Sequence, residues 1–219
     1  MRGCFKIMKF DPSIHHRRSS RLKDYDYSQS GAYFITLVAQ DRANLFGEIT
    51  DGVMGLSRIG EVIRSTWLRL VDLFPMRHDE WVIMPNHLHA IIWILDLRTG
   101  EASASRDFLD PWRSLADASP QRQAIGKRSG SLGAIIQNFK SISTRKINQN
   151  RSETLANNYP AVSLPSKADA SPKRGMRIWQ RNYYEHIIRD QPELDRIRQY
   201  ITDNPHQWEE DQENPERSG

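Results

Sequence analysis

The sequence predicts an α+β fold in which strands and helices form a sandwich, rather than a doubly wound parallel sheet. Two observations support this. Strand-like and helix-like segments follow one another through hairpin-like connections, and residues 87–95 are apolar on both faces. A strand that is covered on both faces belongs in the middle of a sheet. We therefore expect residues 87–95 to be a central strand.

Four segments favour strands, because they are rich in β-branched, aromatic or other apolar residues: 31–40, 45–49, 80–84 and 87–95. Turn-forming pairs delimit two of them. Asp51-Gly52 ends the second segment, and Pro85-Asn86 separates the third from the fourth.

Three segments repeat apolar residues at the three- and four-residue spacing of an amphipathic helix: 57–73, 131–149 and 191–204. The first is expected to end before Pro75. The third has the strongest boundaries. Asp190 and Glu193 are spaced as a capping box, Pro192 falls in the first turn, and Pro205 follows the last residue.

Composition divides the chain into three parts. Residues 1–30 are predicted to be a basic, flexible arm, residues 31–208 a folded domain, and residues 209–219 an acidic tail. Two polar segments without periodicity, near 98–130 and 150–175, are predicted to be insertions in the domain.

The positive charge is concentrated in two regions. Residues 1–23 hold seven basic residues against one acidic, and residues 122–177 hold eleven against two, in a chain of net charge +4. This pattern indicates a polyanion partner, most simply nucleic acid. Solvated arms without a partner are an equal alternative from composition alone.

The composition also argues against several classes of protein. A mean hydropathy of −0.68 and the lack of any apolar run near the roughly 20 residues of a membrane span favour a soluble protein. Cys4 is the only cysteine, which excludes intrachain disulfides and a cysteine cluster for zinc. Without a secretory signal at the start, we expect a reducing, cytoplasmic setting and no membrane partner.

Two histidines are the first candidates for chemistry. His87 and His89 alternate along the predicted central strand, so both imidazoles point to one face and supply half of a metal site. Two packed histidines that each bond to the backbone are the alternative, and the pair alone is weak evidence.

A second pair lies on the last predicted helix. Tyr200 and Asn204 are four residues apart, at the edge of the apolar stripe formed by Leu194, Ile197 and Ile201. They therefore face the rim of the sheet. Ordinary packing of the tyrosine and a helix-stopping role for the asparagine are the alternatives.

Four segments, in this order, resemble the signatures of the REP-associated tyrosine transposases: PNHLHAIIWI, FKSISTRKIN, IWQRNYYEHIIRD and RQYITDNP. This family is related to the single-strand transposases of short insertion sequences, within the HUH (His, hydrophobic, His) endonuclease class. The likeness runs from about residue 27 to 208, interrupted by the two insertions, and implies that residues 31–208 are an HUH transposase-like catalytic domain. It implies a ferredoxin-like or RRM-like HUH endonuclease fold, with an antiparallel sheet, helices on one face and the histidine pair on a central strand.

The resemblance also implies residue roles. The metal-binding histidines of the family correspond to His87 and His89, and the nucleophile to Tyr200. Asn204, in the Asn-Pro pair, is expected to be a third ligand. Manganese or magnesium suits two imidazoles and an amide oxygen, whereas the evidence for zinc is weak.

Two tyrosines in the third signature are rival nucleophiles. Tyr183 and Tyr184 also carry phenols, although structural roles are preferred for both. With Trp179 they are alternatively expected to stack on bases or to pack in the core. His186 is expected either to touch DNA or to close the core.

The implied function is a single-stranded DNA endonuclease and strand transferase that cuts hairpin-associated DNA through a 5′-phosphotyrosine intermediate. The residues expected to contact DNA are Arg17, Arg18, Lys140, Arg145, Lys146 and, with core closure as its alternative, Arg181. Two other readings stay open: a domesticated, nonenzymatic DNA-binding protein, and a metal-dependent hydrolytic nuclease. The chain is expected to be a monomer or a homodimer.

Overall fold

The computed structural model describes residues 25–95, 130–156 and 175–217. Residues 1–24 of the predicted basic arm, which include Arg17 and Arg18, and all but the margins of the two predicted insertions lie outside the described residues.

The central feature is a four-stranded antiparallel sheet formed by β1 (Gly31–Val38), β4 (Met76–Ile83), β5 (His87–Ile94) and β6 (Tyr184–Ile188). The strands lie in the order β4-β5-β1-β6. The central pair, β1 and β5, is in register from Gly31 opposite Ile94 to Val38 opposite His87, and every residue of both strands is buried. The prediction of a central strand near residues 87–95 is confirmed. The edge strand β6 was not predicted.

A small hairpin forms a second sheet from β2 (Gly47–Thr50) and β3 (Val53–Leu56). The turn at Asp51-Gly52 joins the two strands, and both residues have positive φ. Only the first of these strands was predicted, because β3 is short and contains Gly55.

The described residues contain three α-helices: α1 (Arg58–Leu68), α2 (Leu132–Ala156) and α3 (Gln191–Asp203). The predicted cap of α3 is confirmed, since the Asp190 carboxylate accepts a hydrogen bond from the Glu193 amide. The Glu193 carboxylate accepts from the amide of Arg189 rather than from that of Asp190. None of the helices in the described part of the chain is long and apolar enough to cross a membrane.

The α+β class and the antiparallel sheet are confirmed, but helices cover both faces of the sheet. On one face, α1 and α2 pack through Trp67 and Phe139, whose ring centroids lie 5.2 Å apart. On the other face, α3 packs through Leu194 and Ile201 against residues that include Phe34. The expectation of helices on one face is corrected because β1 and β5 are apolar on both faces, and each face must be removed from water.

Candidate metal and tyrosine site

The histidine pair lies on the face of the sheet that α3 covers. His87 is fully buried and His89 is 4% exposed, with ring centroids 4.4 Å apart. The rings are neighbours because alternate residues of β5 share one face.

The orientation of His87 is set by the residue before it. The Asn86 amide group donates through Nδ2 to the carbonyl oxygens of Arg42 (3.0 Å) and Glu213 (2.7 Å). This leaves Asn86 Oδ1 as an acceptor, 2.8 Å from His87 Nδ1. His87 Nδ1 therefore carries the proton, and Nε2 presents a lone pair. Among the described residues, Nε2 has no hydrogen-bond partner.

His89 is held from both sides. Its Nδ1 lies 2.9 Å from Thr36 Oγ1, and its Nε2 lies 3.2 Å from the hydroxyl of Tyr200. The ring also stacks on Phe34, with centroids 5.5 Å apart. If the tyrosine donates to Nε2, the proton of His89 is on Nδ1 and is donated to the threonine.

Both imidazoles are held in the neutral form. Burial lowers the pKa of His87 to about 3, and the nearby Asn204 amide opposes this only in part. Burial, reinforced by the neighbouring His87, lowers the pKa of His89 well below its ordinary value. Neutral imidazoles are the protonation state that binds metals.

A carboxylate completes the cluster. Asp211 Oδ2 lies 4.0 Å from His87 Nε2, and the ligand atoms of His87, His89 and Asp211 all lie within 4.8 Å of one another. The Asn204 side chain donates through Nδ2 to this carboxylate at 3.3 Å. Asp211 was not predicted from the sequence, because it lies in the acidic tail among other carboxylates.

The donor set fits a divalent cation. Imidazole nitrogens, a carboxylate and an amide oxygen converge, and they include two buried atoms without a hydrogen-bond partner in the described structure, His87 Nε2 and Asn204 Oδ1. Leaving a polar atom in this state costs about 1–3 kcal/mol. A cation bound here would satisfy both atoms, because each presents a lone pair.

Of the three candidate tyrosines, Tyr200 lies beside the histidines. Burial raises the pKa of its phenol, and the negative charge of Asp211 raises it further. Tyr184 is 46% exposed and contacts Phe34 edge-on with centroids 6.1 Å apart. Tyr183 packs beneath the ammonium of Lys140, 5.4 Å from its ring centroid.

A partly buried ion pair anchors α3 to the sheet. The guanidinium of Arg198, two residues before Tyr200, donates two hydrogen bonds of 2.7 Å to the Asp79 carboxylate. Trp93 Nε1 donates to the same carboxylate at 2.8 Å. Asp79 lies where the β4–β5 register shifts, between His78 and Trp81.

Replacing Asp79 with asparagine is expected to destabilise the fold by about 1–2 kcal/mol, because Arg198 and Trp93 lose their charged acceptor. Burial alone would raise the pKa of Asp79, but hydrogen bonds from these two partners outweigh it and lower the pKa. The stabilisation is therefore full above the ordinary pKa of 3.8 and is lost as pH falls through the lowered value. Urea denaturation of both proteins from neutral to acid pH measures this. A difference that stays constant through the acid range would contradict it.

Replacing Asn86 with alanine is expected to weaken divalent-metal binding about 10- to 100-fold, because His87 loses the acceptor that fixes its tautomer. Titration of Mn²⁺ followed by electron paramagnetic resonance measures the affinity. Asn182→Ala is the matched control, since Asn182 is exposed and uses its backbone carbonyl for its bond to Lys140. Equal Mn²⁺ affinities of the two variants would show that Asn86 does not contribute to metal binding.

Four of the residues predicted to contact DNA lie in the described part of the chain, three on α2 and one in the segment after Trp179. Lys140 donates to the carbonyl oxygens of Gln180 (2.9 Å) and Asn182 (3.1 Å), which gives it a structural role. Arg145 and Arg181 are exposed, and Lys146 is partly exposed. His186 Nε2 pairs with the Glu193 carboxylate at 2.8 Å.

No family model matches the chain. A solved structure of a REP-associated tyrosine transposase bound to a REP hairpin is similar with a TM-score of 0.48 and 15% identity, over 87% of this chain and 74% of that one. A presumed transposase of Deinococcus radiodurans R1 gives a TM-score of 0.36 and 13% identity, over 84% and 97% of the two chains.

One relative is close in sequence. It is a protein of Haemophilus influenzae (strain ATCC 51907 / DSM 11121 / KW20 / Rd) whose function is uncharacterized. It is 37% identical over 205 residues, which cover 93% of this chain and 96% of the relative. The chain belongs to the same protein family as this Haemophilus influenzae protein.

Proposed function

We propose that this protein is a metal-dependent, single-stranded DNA endonuclease and strand transferase in which Tyr200 is the nucleophile. One observation carries the proposal: the Tyr200 hydroxyl lies 3.2 Å from His89 Nε2, at the edge of a buried cluster suited to a cation. A phenol beside a metal-binding cluster has the parts required for covalent attack on a phosphodiester.

The proposed reaction is a transesterification. The Tyr200 oxygen forms a bond to the phosphorus, the bond from phosphorus to the 3′ oxygen breaks, and the departing oxygen takes a proton to become a 3′-hydroxyl. The phenol loses its proton. The product is a 5′-phosphotyrosine, which keeps the phosphodiester energy, so a different 3′-hydroxyl can reverse the step and complete strand transfer.

The cluster residues would hold a magnesium or manganese ion. His87, His89 and Asp211 offer one ligand atom each, and Asn204 offers its amide oxygen. When bound, such an ion supplies charge compensation for phosphate oxygens. The negative charge of Asp211 raises the pKa of the Tyr200 phenol. The positive charge of a bound ion would offset this effect.

A metal-dependent hydrolase is the second candidate, because the same cluster is also suited to activating water. In that case the Tyr200 hydroxyl is only a structural partner of His89. A nonenzymatic DNA-binding protein is less well supported, since the described cluster keeps every predicted ligand. A cytoplasmic location and a monomeric or homodimeric state stay predictions.

The test is incubation of the full chain with a labelled single-stranded hairpin from the flanks of its gene, in Mg²⁺ or Mn²⁺ and separately in excess chelator. A labelled protein band on a denaturing gel that requires the metal supports the proposal. Cleaved DNA without a protein band favours the hydrolase. Binding without cleavage of any flanking hairpin favours the nonenzymatic protein.

A further inference from the structure

A shallow groove runs between α2 and the extended segment 177–181. It has a volume of about 470 Å³ and is lined by ten residues, of which four are basic and none is acidic. The basic residues are Lys140, Arg145, Arg177 and Arg181.

Packing beneath the groove keeps its two walls at a fixed separation. The rings of Phe139 and Trp179 meet with centroids 5.4 Å apart, and Trp179 Nε1 donates to Ser143 Oγ at 3.0 Å. Lys140 ties the walls together by donating from α2 to the carbonyl of Gln180. The groove is therefore a built part of the fold rather than a gap between side chains.

The three arginines are the charged groups available to a ligand. Arg145, Arg177 and Arg181 are all exposed, and within the described residues no acidic side chain lines the groove beside them. Guanidinium groups bind phosphate through paired hydrogen bonds. Ser141 adds an exposed neutral donor on the helical wall, which extends for about 12 Å from residue 137 to 145.

The groove lies on the face of the sheet that α2 covers, whereas the candidate active site lies on the face that α3 covers. The Gln180 amide donates to the carbonyl of Val38 at 2.9 Å, and Val38 lies opposite His87 in the register of β1 and β5. Two strand spacings, about 10 Å, therefore separate the backbone of the groove wall from that of His87. A strand bound in the groove would therefore have to pass around the edge of the sheet to reach Tyr200.

We propose that this groove binds the sugar–phosphate backbone of the single DNA strand that enters the active site. The positive lining selects a polyanion. That the polyanion is single-stranded DNA rests on the proposed function. The proposal adds Arg177 to the residues predicted from the sequence to contact DNA. Lys140 instead has a structural role, because its hydrogen bond to Gln180 connects the two walls of the groove.

The test compares the double variant Arg145→Gln/Arg177→Gln with the control Arg64→Gln/Arg69→Gln, which removes the same charge from exposed positions outside the groove. Fluorescence anisotropy measures binding of a labelled single-stranded oligonucleotide at several salt concentrations. The groove variant should bind about tenfold more weakly, and its log–log salt slope should be shallower by about 1 to 1.5. The control should bind as the wild type does.

Ser141→Asp provides a second probe, because it adds a negative charge to the groove without removing an arginine, and it should also weaken binding. Unchanged affinity and salt slope in both groove variants would overturn the proposal. A duplex bound as tightly as the single strand, with the same dependence on the arginines, would overturn the assignment to one strand.

The metal-dependent protein–DNA band separates this inference from the proposed function. Groove-dependent binding without a covalent band supports the groove and counts against tyrosine catalysis. A covalent band, together with oligonucleotide binding that is unchanged in the groove variants, supports tyrosine catalysis and counts against the groove.

Discussion

Tyr200→Phe is expected to abolish the metal-dependent covalent protein–DNA band, with a loss of at least about a thousandfold in the rate of adduct formation. The substitution removes the one oxygen that would bond to phosphorus. The fold should persist, because only a hydrogen bond to His89 is lost, at a cost of about 1 kcal/mol. Quantification of labelled adduct on denaturing gels, with equal amounts of folded protein, measures the effect.

The matched control is Tyr184→Phe, which removes the same hydroxyl from a tyrosine that is 46% exposed. This variant should form adduct as the wild type does. Adduct formation by Tyr200→Phe would exclude Tyr200 as the nucleophile. Loss of the adduct in Tyr184→Phe would indicate that Tyr184, on the edge strand β6, is the nucleophile. DNA cleavage that survives in Tyr200→Phe without any adduct would favour the hydrolase.

His87→Ala is expected to remove the thermal stabilisation that Mn²⁺ gives the wild-type protein. A ligand at 100 times its dissociation constant stabilises a folded protein by about 2.7 kcal/mol. For a domain of this size, that corresponds to a rise in Tm of about 5–11 °C. The variant should show no rise, because the cluster loses the imidazole whose Nε2 has no other partner among the described residues.

Differential scanning calorimetry measures Tm with and without Mn²⁺, and two further variants test whether the rise depends on the cluster. His206→Ala removes an exposed histidine outside the cluster and should keep the full rise. Asp211→Asn keeps the size of the side chain but removes its charge, so the rise should be smaller than in the wild type. A full rise in both His87→Ala and Asp211→Asn would place the metal elsewhere.

Local patterns in the sequence determined the central strand and the helix with its cap. The apolar run at 87–95 required cover on both faces, and the spacing of Asp190 and Glu193 marked the start of α3. The alternation of His87 and His89 placed both rings on one face, because side-chain direction in a strand depends only on parity. These features follow from neighbours in the chain, so one sequence is enough to predict them.

The tertiary structure decided what lies opposite those histidines. Asp211 reaches the cluster only because the chain turns back after Asn204, and nothing in the acidic tail distinguishes it from the carboxylates beside it. Asn86 orients His87 by bonding to carbonyls from Arg42 and Glu213, which are far apart in the sequence. Such contacts depend on how separate segments pack, so their residues carry no local periodicity that would have predicted them.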